Sequence, residues 1–548
     1  MAIAQHSKDI AKGTFWGLSG NMLLKLVSFF YLVILTRMAT QADIGEFYLG
    51  LSVLGIVILV ADLGLPGAVI RYLPFYQEKG GMPKVMQLIR VSYAAVSIFS
   101  AIVSVIMFLL ADPIAGFMNN SGLSQTIRLL SPYILLNSIF SLNSSIFQGV
   151  KDIRTQSMLS NIQNIMKLIL TILLVFTIGA TAFSIAVGFV LSFVVALIIS
   201  FWYLRKPLSE MGKAQETIGE GPFAILSEVI PFGIMISTIN SLWMLINYID
   251  RVMIGYYISE QQVAVYTVAT SLATLVMIFP TAIATIFFPV VSGLFGKEKK
   301  DEMAAVGGTS LRWMLFAIMP LALVMLTFPD SLLRMFYGEG YAVGSLTLVI
   351  FTIGLLIRSL SIMHGSALAA MRLVGIELKI AIVAAISNVA LNALLIPRFG
   401  IDGAAIASSI AFAISTVLFI YYSRKLLGFT FPTESLKAVL AGGIALGFLL
   451  LAKPYLGIIF EMLPAIGEET SAELLSKALR LIVFGVLFLA GGALYLASLF
   501  LLKSFHEEDS SILSAAMKRV KMPLWMITIV EKIVIFGVHG TTNPKRTP

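Results

Sequence analysis

Residues Gly13–Met38 read G-T-F-W-G-L-S-G-N-M-L-L-K-L-V-S-F-F-Y-L-V-I-L-T-R-M, and this stretch decides the fold. It is long and apolar enough to cross a bilayer as a helix, since about 20 such residues span the hydrocarbon core. Lys25 sits in its middle. At about 1.5 Å rise per residue it lies roughly 18–20 Å from either end, beyond the reach of a snorkelling side chain. An ammonium at that depth costs about 2.5–3.5 kcal/mol on insertion scales. Lys25 is therefore expected to face a protein interior or a wet cavity. Thr14, Gly17, Asn21, Lys25 and Ser28 recur at spacings of three and four and share one helix face. Such a stripe serves either as a helix–helix contact built on small and polar residues or as one wall of a polar translocation cavity.

The rest of the chain fits that opening. Its 548 residues are 58% hydrophobic and 12% charged, about half the charged fraction of a typical soluble protein, which is about 25%. Repeated apolar runs of spanning length make it an all-α polytopic membrane protein. The first apolar run is too long for a cleavable signal peptide and lacks a small-residue cleavage site. The absence of Cys excludes structural disulfides and thiolate metal sites. A net charge of +9 would suit a nucleic-acid partner, but topology accounts for it, and none is expected.

Fourteen spans are predicted, at about 13–38, 47–68, 86–111, 129–150, 156–178, 181–204, 228–249, 262–288, 307–328, 345–369, 377–396, 401–423, 436–456 and 480–502. With the N-terminus inside, the inner segments hold 27 Lys and Arg and the outer ones 8, with Lys25, Lys167 and Arg358 within spans. That asymmetry puts both termini in the cytoplasm. The predicted parts are an N-terminal six-helix lobe (1–206), an inner linker (207–227), a C-terminal six-helix lobe (228–427), spans 13 and 14 (428–502) and an inner tail (503–548). In the tail, Pro523–Phe536 is too short to span and reads as an interfacial helix. Glu461–Lys477 is expected to be a solvated outer loop.

The two lobes rest on a weak repeat. Thr40–Phe47 aligns with Ser259–Tyr266 at an offset of 219. Val150–Lys151 with Met371–Arg372, and Ile178–Ala186 with Phe399–Ala407, align at 221. Six spans is an even number, so both lobes enter from one side. They should be related by a pseudo-two-fold axis along the membrane normal, with a cavity between them.

Ionisable residues well inside spans are few. Lys25 and Lys167 lie in the first lobe, Arg358 and His364 in the second. The carboxylates Asp62, Glu228 and Asp250 fall near predicted span ends. Asn161, Asn164, Lys167 and Thr171 form one strip, and Ser237, Asn240 and Asn247 another; Asn137, Ser141, Ser145 and Gln148 form a third. Thr347, Gly354, Arg358, Ser361 and Gly365 share a face of span 10. Asn and Ser suit hydroxyl-rich ligands such as sugars, and equally suit interhelical hydrogen bonds. A buried cation in each lobe points to an anion between them, most simply a phosphate or pyrophosphate. No phosphate-binding Gly-rich loop, H-E-x-x-H or acidic metal cluster is present, and no enzyme activity or cofactor is expected.

Several motifs carry a family resemblance. L-L-K-L and L-T-R-M in span 1 precede Q-A-D-I-G-E-F-Y at Gln41–Tyr48 and D-L-G-L-P-G-A-V-I-R-Y at Asp62–Tyr72. D-R-V-M-I-G-Y-Y-I-S at Asp250–Ser259 and V-A-V-Y at Val263–Tyr266 follow in the second half. The chain resembles polysaccharide flippases of the O-antigen type, within the multidrug/oligosaccharidyl-lipid/polysaccharide exporter superfamily. By architecture the resemblance extends over about residues 8–502. It implies alternating access, movement of lipid-linked oligosaccharide from the inner to the outer leaflet, and spans 13 and 14 beside the lipid tail. It also implies partnership with glycosyltransferases or a polymerase of the same pathway. Multidrug and toxin extrusion proteins typically need a membrane carboxylate for coupling, whereas span 1 here has a lysine. Peptidoglycan-precursor flippases usually carry arginines in spans 1 and 2, and span 2 here has no mid-span cation. A non-transporting scaffold would need no buried cations.

The candidate substrate-binding residues are thus Lys25, Lys167, Arg358, His364, Asn21, Asn161, Asn164, Asn240 and Asn247, with H+ or Na+ left open as coupling ion. The topology has a direct test on a chain without native Cys. A cysteine at Ala42 is expected to react with an impermeant thiol reagent from outside, and one at Gly296 only from inside. Outside labelling at Gly296 overturns the orientation.

Overall fold

The computed structural model describes residues 2–79, 81–211, 221–371, 373–428, 433–462, 485–486 and 489–505. Among them the chain is helical and no strand element occurs. The helices are α1 (Ala2–Met38), α2 (Gln41–Ala61), α3 (Leu65–Lys79), α4 (Gly81–Leu109), the short α5 (Ala111–Phe117) and α6 (Gly122–Leu130), and α7 (Pro132–Gly149). Then come α8 (Ile153–Ile178), α9 (Ala182–Met211), α10 (Pro222–Tyr257), α11 (Glu260–Ala273), α12 (Ile278–Phe295) and α13 (Lys300–Thr327). The short α14 (Pro329–Tyr337), α15 (Ser345–Ala370), α16 (Val374–Leu427) and α17 (Thr433–Met462) follow. A further apolar helix covers Leu489–Leu501. The middle of the linker (212–220), the acidic loop after Met462 and the tail beyond Phe505, with its predicted interfacial helix, lie outside the described residues.

Eleven of the described helical stretches are long and apolar enough to cross a membrane, which makes this a multi-pass membrane protein. α7 is not among the eleven, because Asn137, Asn143, Gln148 and several serines dilute its apolar surface. The predicted spans 11 and 12 appear as the single α16, broken at Gly400 (φ 62°, ψ −139°). Gly179, at the repeat offset in the first half, also has positive φ (112°) and joins α8 to α9. Helix starts repeat in the same way. Thr40 Oγ1 accepts from the Asp43 N–H (3.2 Å), and at the matching place in the second half Ser259 Oγ accepts from the Gln262 N–H (3.4 Å). Each hydroxyl satisfies an orphan donor of the first turn.

The predicted span at 47–68 is shifted. α2 begins earlier, at Gln41, and ends at Ala61, where D-L-G-L-P-G breaks it. Leu63 and Gly64 adopt positive φ (53° and 69°), and Asp62 Oδ1 takes the Gly64 N–H at 3.0 Å. Hydropathy alone could not reveal that break; the Asp-x-Gly turn chemistry could. Gly64 then meets Gly233 of α10 backbone to backbone, and a Cβ on either would overlap the other's carbonyl. α3 restarts at Leu65 and packs along α10. Tyr76 OH donates to Glu228 Oε2 (2.6 Å), and the Arg71 guanidinium lies 3.9 Å from the Phe232 ring centroid.

The chain divides into two compact units. One comprises Met1–Ile278, Asp330–Ser361 and Leu368–Tyr422; the other comprises Phe279–Pro329, Ile362–Ala367 and Ser423 onward. Within the first, α2 packs against α10 and α11, and α1 against α8. At the α1–α2 turn, Arg37 Nη2 donates to the carbonyls of Arg334 (3.2 Å) and Met335 (2.6 Å). A cation there favours the negative end of α14. Within the second unit α13 packs on α17, and Tyr495 OH reaches the Leu315 carbonyl (3.4 Å).

The α2–α11 contact is closest at Gly45, where a Cβ would overlap the Glu260 carbonyl. Gly45→Ala is expected to destabilise the purified protein by about 1–3 kcal/mol, the usual cost of overpacking. Gly116→Ala, with nothing within 4 Å of the added carbon, should leave the melting temperature unchanged. Equal melting curves for the two variants would refute the close approach.

Candidate functional site

α1 packs on α8, and of the predicted α1 stripe Ser28 meets the polar strip of α8. Gly20 abuts Ser157 and Asn161, and its lack of a side chain allows that approach. Ser28 Oγ lies 3.4 Å from Asn164 Oδ1, which also accepts from Lys167 Nζ at 3.1 Å. The ammonium of Lys167 stands 4.6 Å from the Tyr31 ring centroid. Only neutral groups therefore hold Lys167. Lys25 is half-buried and has no hydrogen-bonding or ionic partner among the described residues. Asn161 is buried and donates to the Ser157 carbonyl of its own helix (2.8 Å). Asn21 is exposed.

A second cluster lies on α10, α15 and α16. The Arg358 guanidinium sits 5.3 Å from Trp243 and 4.8 Å from Phe412. No carboxylate pairs with it among the described residues. Both rings are within cation–π range of the cation. Asn240 and Asn247 are exposed on α10, and Asn247 Nδ2 donates to the Trp243 carbonyl (3.0 Å). No hydrogen bond, ion pair or ring contact among the described residues joins Arg358 to Lys25 or Lys167. His364 belongs to neither cluster: it is fully buried in the second unit, with Nδ1 2.7 Å from Ser423 Oγ. A similar pin, Asn143 Nδ2 to Ser200 Oγ (2.7 Å), lies at close to the repeat offset in the first half of the chain.

Three charged groups escaped the sequence. Arg312 is 3% exposed, well inside α13, although its place near a predicted span start counted it with an inner loop. Arg251, counted as outer, is half-buried in α10, with its guanidinium 5.8 Å from the Tyr48 ring of α2. Asp250 is 1% exposed. Its Oδ2 accepts from Tyr266 OH (2.5 Å) and Ser408 Oγ (2.6 Å), and its Oδ1 from Nδ2 of Asn392 (2.6 Å) and Asn388 (3.2 Å). The span was predicted to end at 249, whereas α10 continues to Tyr257, so a deeply placed carboxylate was taken for a helix end. The Asn388/Asn392 spacing of four on one helix face was the available signal. A cavity of about 120 Å³ adjoins this carboxylate, lined also by Asn247, Arg251 and Thr270. A lone carboxylate among neutral oxygens and amides can hold a proton or a small monovalent cation. No group of three or more His, Cys, Asp or Glu residues placed for a metal ion occurs among the described residues.

The model of the family described as "Polysaccharide biosynthesis protein" matches residues 10–295, more than half of the chain. The chain belongs to this polysaccharide biosynthesis family. The MatE family model matches residues 234–394, and together they place the chain in the multidrug/oligosaccharidyl-lipid/polysaccharide exporter superfamily. Among its relatives is the "Probable low-salt glycan biosynthesis flippase Agl15" of Haloferax volcanii, 23% identical over 83% of this chain and 94% of that protein. Another is the "Capsular polysaccharide biosynthesis protein CapF" of Staphylococcus aureus, 22% identical over 74% and 97%. Among solved structures, a lipid II flippase MurJ in an inward closed conformation superposes with TM-score 0.66 at 14% identity, covering 87% of this chain and 97% of that one. An inward-facing multidrug resistance MATE family transporter gives 0.62 at 14%, covering 76% and 98%. These two establish the fold.

In this family member the Asp250 cage is tested by stability. Asp250→Leu takes the acceptor from the Tyr266 and Ser408 hydroxyls and leaves the Asn388 and Asn392 amides only Ser408 Oγ and Asn388 Oδ1, each buried donor left unpaired costing about 1–3 kcal/mol. The variant is expected to lose folded protein, whereas Asp250→Asn keeps an acceptor and should fold. A well-folded Asp250→Leu protein would contradict the cage.

Proposed function

We propose that this chain flips a polyprenyl-pyrophosphate-linked oligosaccharide from the inner to the outer leaflet of the cytoplasmic membrane, by alternating access. One observation carries this reading: Lys25 and Arg358 are cations within spans that have no acidic partner among the described residues. A buried cation is costly and is useful where an anion meets it. The pyrophosphate supplies that anion, near Lys25, Lys167 and Arg358. Asn21, Asn240 and Asn247, which are exposed, contact the sugars, while Asn161 and Asn164 serve the α1–α8 contact. The names of the relatives, a glycan biosynthesis flippase and a capsular polysaccharide protein, favour this substrate class.

The architecture behind it is fourteen spans in two six-helix lobes, 1–206 and 228–427, with two more helices after them and both termini in the cytoplasm. The recurrence of caps, glycine breaks and buried pins at a near-constant offset supports the lobes. Splitting α16 at Gly400, counting α7 and counting Leu489–Leu501 would bring eleven stretches to fourteen.

The cavity should discriminate by charge. Two like charges about 8 Å apart repel by roughly 2 kcal/mol at an effective dielectric of about 20, more than a tenfold loss of affinity. Purified protein is expected to be thermally stabilised by polyprenyl-pyrophosphate sugars and not by lipophilic cations such as ethidium. Lys25→Ala is expected to abolish flipping with folded protein retained, and Lys25→Arg to keep part of it. Stabilisation by ethidium alone would replace this reading with a drug exporter, whereas full flipping by Lys25→Ala would remove Lys25 from the site.

A further inference from the structure

Asp250 and Arg251 are adjacent in sequence and line the same cavity. Among the described residues no ion pair joins them. Opposite charges sharing a low-dielectric cavity attract strongly, so each must be held by something else. Asp250 is held by Tyr266, Ser408, Asn388 and Asn392, all neutral donors. Arg251 lies over the ring of Tyr48 on α2, and its Nε is buried without a hydrogen-bond partner among the described residues. The seam it crosses is tightly packed: Gly255 of α10 admits Leu49, and Gly55 of α2 admits Tyr248.

We propose that Arg251 is a switch cation with two exclusive resting places, the Tyr48 ring on α2 and the Asp250 carboxylate across the cavity. Over Tyr48 it ties α10 to α2 and holds their seam closed. On Asp250 it neutralises the carboxylate and releases Tyr48. Cancelling the Asp250 charge by other means leaves Arg251 on Tyr48, so the charge on Asp250 sets the strength of the α2–α10 contact. Arg251 is thus a positioning residue, acting through that contact. The proposal uses the transport reading for one point only, that this seam parts during the cycle.

The experiment needs no substrate. A cysteine at Ser271, which lines the cavity, reports opening through its rate of reaction with a hydrophilic maleimide on purified, folded protein. Tyr48→Leu is expected to raise that rate about two- to fivefold, the size of a cation–π contact. Tyr48→Phe keeps the ring and should leave the rate unchanged. Asp250→Asn is expected to lower the rate by a similar factor. In the Arg251→Gln background the effects of Tyr48→Leu and Asp250→Asn should both vanish, as a double-mutant cycle requires of coupled groups. If Asp250→Asn shifts labelling equally with and without Arg251, or if Tyr48→Phe behaves as Tyr48→Leu, the switch is refuted. Failure to bind pyrophosphate lipids with this coupling intact would reject the proposed substrate and leave the switch standing.

Discussion

The Asp250 carboxylate is the contact on which the register of three long helices depends. It sits on α10 and receives Tyr266 from α11 and three groups from α16. Apolar helices in lipid gain little from burying apolar surface against each other, so polar pins decide which faces meet. Four donors converging on one acceptor fix both the depth and the rotation of each helix. A half-satisfied network at the same place would be worse than none. The smaller pins, Asn143 with Ser200, Gln163 with Ser192 and Thr347 with Asp402, apply the same logic to other pairs.

Much of this was legible in the sequence, for physical reasons. Bilayer thickness imposes a length on every span, so most helices fell where hydropathy put them. Lys25 and Lys167 stood out because charge in such stretches is rare, and the three-and-four spacing marked the polar faces of α1 and α8 before any geometry. Breaks and ends were harder. The Leu63–Gly64 turn is invisible to hydropathy, and ending α10 two turns too early put Asp250 at a span end. Arg251 was hidden by the same error. Residues at the 219–221 offset share roles more than identities: Thr40 and Ser259 both cap, and Asn143 and His364 both bond to a serine hydroxyl.

Two of the cations singled out at first occupy different settings. Lys167 lies against neutral oxygen and an aromatic face, on helices of the first half. Arg358 lies between two aromatic rings, on helices of the second. Among the described residues neither setting supplies a counter-charge, which distinguishes both from Arg334, paired with Asp330 on the helix α14 (2.7 Å). Arg334 meets an acid; these two meet rings and an amide instead.

The 219–221 offset has a consequence for how the interior is electrified. It sets Tyr31 opposite Asp250 and Lys167 opposite Asn388. One half therefore carries an ammonium beside a phenol, and the other a carboxylate beside amides. The matching positions thus differ in charge: Lys167 falls opposite a neutral amide, and Asp250 opposite a phenol. The two sets of matching positions therefore differ in electrostatic character, a difference that hydropathy alone does not reveal.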